Sequence, residues 1–89
     1  MGGVAATIKI MPEGVDTDLE ALAGKLEGAL PEGTELYGVK EEPVAFGLKA
    51  LMVVVMLGDA EGGTEPVEVA FAAIDGVEGV QVVEVGRPV

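Results

Sequence analysis

An 89-residue chain with no cysteine and no histidine can build neither a disulfide framework nor a thiolate metal site. It also lacks the usual general base near neutral pH and the commonest metal ligand. Sixteen acidic against five basic residues give a formal charge of −11, which disfavours direct nucleic-acid binding and anionic membranes and suits a basic protein partner or a salt-rich cytoplasm.

With 49% hydrophobic residues and a mean hydropathy of +0.48, the chain has material for one domain with a dense core. Its longest apolar run, Ala50 to Leu57, is far too short to cross a bilayer. Met1-Gly2-Gly3-Val4 shows no basic segment followed by an apolar one, so a cytoplasmic protein without a signal peptide is expected.

Val4 to Met11 alternates Val4, Ala6, Ile8 and Ile10 with Ala5, Thr7, Lys9 and Met11, the pattern of a strand, and Pro12-Glu13-Gly14 ends it. A helix is expected from Asp16-Thr17-Asp18, with Thr17 and Glu20 at capping-box spacing. Leu19, Leu22, Leu26 and Leu30 form its apolar face, and Pro31 stops it. Thr34 to Glu42 reads as a polar edge strand in which Gly38 marks a bulge.

Leu48 to Leu57 is apolar on both faces apart from Lys49, as a central strand should be. After the turn Gly58 to Gly63, Thr64-Glu65-Pro66 opens a second helix with Val67, Ala70, Phe71 and Ile74 on its buried face. Gly76 breaks that helix, and Val80 to Val85 gives a fourth strand. The order β-α-β-β-α-β predicts the ferredoxin-like split βαβ fold: a four-stranded antiparallel sheet with both helices on one face. Right-handed crossovers put the first and third strands at the centre. The other sheet face is then left open and partly apolar, which calls for a partner, a second copy or cover from the chain's own ends.

Fold does not name a function, so the candidate sites decide. The segment Gly58 to Thr64 resembles an anion-binding loop before a helix, yet it lacks the ending of a phosphate loop, and Asp59 and Glu61 would repel a phosphate. A tight turn is the better reading. Glu41-Glu42 reads as the solvated edge of a loop rather than an acid–base pair, and Tyr37 as a half-buried strand aromatic. Phe46 stands apart, between Ala45 and Gly47 at the mouth of the third strand, with Pro43 restraining the loop. Its ring either seals the end of the core or is presented as an anchor for a protein partner. Lys49 and Arg87, two of the few cations, complete the set of candidate partner-binding residues, and no cofactor or metal site is expected.

Met11-Pro12-Glu13, Asp18-Leu19-Glu20-Ala21-Leu22, Leu30-Pro31-Glu32-Gly33-Thr34, Glu42-Pro43-Val44-Ala45-Phe46-Gly47-Leu48 and Glu61-Gly62-Gly63-Thr64-Glu65 resemble archaeal elongation factor 1-beta. The resemblance runs in register along almost the whole chain. It implies one ferredoxin-like guanine-nucleotide exchange domain over residues 1–89, without covalent chemistry, acting on the GTPase elongation factor 1-alpha. It also implies that Phe46, with Gly47 and Lys49 beside it, docks the GTPase, as the corresponding segment does in eukaryotic relatives. Those relatives end in a lysine that reaches the magnesium site of the GTPase. Here the tail reads Val85-Gly86-Arg87-Pro88-Val89, with Arg87 as its only cation, so the magnesium step does not carry over residue for residue.

Two readings from other classes compete. A ligand-binding regulatory domain working as a dimer would use the open sheet face, and a carboxylate enzyme would use Glu41, Glu42, Asp59 and Glu61.

Overall fold

The computed structural model describes residues 4–30, 33–57 and 65–86, and for Phe46 the backbone alone. Six elements follow one another: β1 (Val4–Pro12), α1 (Leu19–Ala29), β2 (Thr34–Pro43), β3 (Lys49–Leu57), α2 (Glu65–Ala72) and β4 (Val77–Gly86). The strands form one antiparallel sheet in the order β2-β3-β1-β4. This is the ferredoxin-like arrangement the pattern predicts, with β1 and β3 central.

The core explains the alternation in the strands. Ala6, Ile8 and Ile10 of β1 and Leu51, Val53, Val55 and Leu57 of β3 are buried against Leu22 and Leu26 of α1 and Val67 and Phe71 of α2. Leu19, Leu30 and Ile74 pack on its rim. Ala70, expected on the buried face of α2, is only half-buried. The intervening strand residues, Thr7, Lys9 and Met11 with Met52, Val54 and Met56, lie on the opposite face and are half-buried without helix cover. No helix among the described residues is long and apolar enough to cross a membrane.

The start of α1 differs from the capping-box expectation. The N-cap is Asp18, whose Oδ1 accepts from the backbone N–H groups of Glu20 (3.1 Å) and Ala21 (3.3 Å). Thr17 is committed one turn earlier. Its N–H donates to the Gly14 carbonyl at 3.2 Å, and its hydroxyl oxygen accepts from the Gly14 N–H at 3.3 Å. The hydroxyl therefore serves the turn, and the carboxylate one residue later takes the cap. Asp18→Ala is expected to cost about 1 kcal/mol of stability, read as a lowered urea midpoint with an unchanged slope. At the other end, Leu30 leaves the helix with ψ 132°, the extended conformation required before a proline.

Two strands depart from their predicted form. In β2 the pairing slips between Leu36 and Gly38, so Tyr37 is the extra residue of the bulge. Tyr37 is 69% exposed, which overturns the half-buried reading. The missing Cβ of Gly38 marked the bulge correctly, but the neighbouring residue is the one turned out. β4 begins at Val77, three residues before the predicted Val80. Glu78 is an extra residue there, because Gly79 pairs with Met11 and Val77 with Pro12. Gly76 makes the entry possible, with φ +97° and its carbonyl accepting from the Glu13 N–H at 3.0 Å. The glycine-rich turn with Asp59 and Glu61, together with Pro31 and Thr64, lies outside the described residues.

Candidate docking end of the sheet

The β2–β3 connection is a hairpin that closes on itself. Pro43 pairs with Lys49, and the loop between them is pinned by the Val44 N–H donating to the Leu48 carbonyl at 2.8 Å. Inside it, Ala45–Gly47 form one 3₁₀ turn, and the Leu48 N–H donates to the Ala45 carbonyl at 3.2 Å. Leu48, expected as the first strand residue, instead caps this turn and β3 starts at Lys49. Phe46 is the middle residue of the turn, at the tip of the hairpin. Whether its ring seals the core or is presented falls outside what the structure describes.

Gly47 adopts φ +78°, a region in which an L side chain is strained, although a Cβ there would meet nothing within 4 Å. Gly47→Ala is therefore expected to cost about 1 kcal/mol through backbone strain alone, seen as a fall in melting temperature without a change in core packing.

Lys49 stands beside the tip, exposed, with its Nζ 3.8 Å from Glu41 Oε1. Glu41 is opposite Leu51, so the pair is a diagonal cross-strand contact. Both side chains are about half in solvent, and such a pair contributes little to stability. A polar groove of about 380 Å³ opens there, between the start of α1 and the hairpin, lined by Thr17, Asp18, Glu20, Glu41, Gly47 and Lys49.

The fold brings three of the four candidate residues, Phe46, Gly47 and Lys49, to one end of the sheet. Arg87 lies outside the described residues. The strand leading to it ends at Gly86, opposite Ala5, which is itself opposite Met56 at the far end of β3. From Lys49 to Met56 the strand runs about 23 Å. The hairpin tip and the end of β4 are thus at opposite ends of the sheet along the strand direction. Glu41 and Glu42, weighed as an acid–base pair, are adjacent on a strand and point to opposite faces.

Residues 5–87 match the family described as the EF-1 guanine nucleotide exchange domain. Elongation factor 1-beta of Methanococcoides burtonii is 70% identical over 89 residues, covering all of both chains. That of Methanothermobacter thermautotrophicus is 55% identical over 87 residues, and that of Haloarcula marismortui 54% over 87, each spanning 98% of this chain and 98–99% of its own. Among solved structures, the C-terminal domain of the MgtC protein from Mycobacterium tuberculosis superposes with a TM-score of 0.58. It covers 91% of this chain and 85% of its own at 13% identity, a likeness of fold alone. A match that runs along the whole chain, on the fold the alternation dictates, separates the exchange-factor expectation from the ligand-sensor and carboxylate-enzyme alternatives: the chain belongs to the EF-1 guanine nucleotide exchange family of translation elongation factors.

Proposed function

We propose that the protein promotes the exchange of GDP for GTP on elongation factor 1-alpha in the cytoplasm, with residues 1–89 acting as one exchange domain. The observation that carries this reading is the family match over residues 5–87, which includes the whole hairpin that holds Phe46, Gly47 and Lys49. The reaction needs no covalent step by this chain. A protein that binds the nucleotide-free GTPase better than the GDP-bound one must, by reciprocity, weaken GDP by the same factor. Weakening the contacts to magnesium and the phosphates is the efficient way, and GTP then fills the emptied site. In this reading Phe46 anchors the complex, Gly47 allows the turn that places it, and Lys49 and Arg87 supply charge. A net charge of −11 adds long-range attraction to a basic patch on the GTPase, an effect that fades as salt rises.

The test is release of a fluorescent GDP analogue from elongation factor 1-alpha, chased with unlabelled GTP. Catalytic amounts of this protein are expected to accelerate release, and added salt to slow the association step. Release at the intrinsic rate across all concentrations would exclude the function.

A further inference from the structure

The irregularities of the sheet fall on its two outer strands. At the centre, β1 and β3 pair from Val4 with Leu57 to Ile10 with Leu51 without a shift. Extra residues stand only in β2 and β4, the two edges of the order β2-β3-β1-β4. They are Tyr37 in β2 and, in β4, Glu78 near its start and Val83 further along, where Thr7 pairs with Glu84 and Ile8 with Val82.

Neither Tyr37 nor Val83 is needed by the pairing. Leu36 and Gly38 face consecutive residues of β3, Val55 and Val54, so without Tyr37 the ladder runs unbroken from Thr34 to Pro43. Val82 and Glu84 likewise face consecutive residues of β1. Nor is either needed by the core. Side chains two apart on a strand share a face, yet Leu36 and Val39, three apart, both pack on the core. Tyr37 makes up the difference. Val82 and Val85 are also three apart, opposite Ile8 and Ala6, with Val83 as the residue in excess. Both extra residues are exposed.

An outer strand with a regular ladder presents a row of unpaired N–H and C=O groups that templates another strand. A bulge bends the strand and interrupts that row. Charge opposes association as well, since two copies carry −11 each. That repulsion reaches only about 10 Å at 0.1 M salt and about 3 Å at 1 M. A bulge is geometric and works at any ionic strength.

We propose that the bulges at Tyr37 and Val83 are edge guards, which keep the sheet from pairing edge to edge with a second copy of the chain when salt screens its charge. The guard acts in the free protein, whatever partner the hairpin meets. The experiment is sedimentation of the full chain at low salt and at about 1 M potassium chloride, for wild type, deletion of Tyr37, deletion of Val83 and Tyr37→Ala. Each deletion is expected to tighten self-association about tenfold or more over wild type at high salt, roughly what one or two regained ladder hydrogen bonds supply. At low salt the remaining charge should hide most of the effect. In the associated Tyr37 deletion, the backbone amides from Leu36 to Lys40 should gain protection from hydrogen exchange. Tyr37→Ala keeps the extra residue and should sediment as wild type does.

The urea midpoints of both deletions are expected to stay near wild type, and a deletion that folds poorly leaves the other edge to decide. The proposal is overturned if the folded deletions sediment as wild type does at high salt, or if Tyr37→Ala associates as strongly as the Tyr37 deletion. Protection that appears away from the edge strand overturns it too. So does loss of folding in both deletions, because the extra residues would then belong to the fold.

Discussion

Phe46→Ala is expected to lower the second-order rate constant for stimulated GDP release about thirtyfold or more, with the urea midpoint unmoved. Aromatic side chains placed at the centre of an interface carry a large share of its energy, and truncating one costs about 2 kcal/mol or more. The hairpin holds Phe46 at its tip: the bond from Val44 to Leu48 closes the loop, and Gly47 sets the turn. The two bonds that close the loop run between backbone groups, so removing the ring breaks neither of them. The measurement therefore needs both readouts, release kinetics and denaturation. A variant that keeps its exchange rate but loses about 3 kcal/mol of stability would assign the ring to the end of the core.

Phe71→Ala is expected to show the reverse pattern. Phe71 is 0% exposed and sits on α2 in the same cluster as Ile8, Ile10, Leu26 and Val53. Removing a buried phenylalanine costs about 3–5 kcal/mol, because the lost transfer energy is joined by a cavity that neighbours fill only in part. Against a net stability of about 5–15 kcal/mol, this brings the domain close to its unfolding limit. Calorimetry should show the melting temperature falling by roughly 12–40 °C, at about 4–8 °C for each kcal/mol in a domain of this size. Under conditions where the variant remains folded, its exchange rate should stay near wild type. The chain's only two phenylalanines are thus expected to divide between binding and folding.

Both helices and most core residues could be read from periodicity, because burial on one face leaves a period that composition cannot disguise, and the strand order followed from the handedness of the crossovers. The misreadings fall where a local hydrogen bond or an extra residue competes with that period. Thr17 and Asp18 both suit a helix start, and the decision belongs to the turn at Gly14, which engages the threonine hydroxyl. Glu78 and Gly79 break the alternation of β4, and only pairing with Pro12 and Met11 shows that the strand continues through them. Tyr37 looked half-buried because strand aromatics usually are, yet the bulge turns it outward.

Of the candidate site, the glycine between Phe46 and Leu48 was legible as a sharp turn, and the register then places Lys49 beside it. The separation of this end from the end of β4 was not legible in any motif. It emerges only when the antiparallel order is laid out strand by strand.

No polar or charged side chain is buried among the described residues. The interior therefore holds no buried charge for surrounding ions to screen or displace, and every described ionisable group sits outside the core. A lineage built this way is free to recolour its exterior, moving between dilute and concentrated media or adjusting to a changing partner, while the interior need not be redesigned. Outside the few exposed residues that cap or turn the chain, such as Asp18 and Gly47, the residues that meet the medium are not those that fill the core.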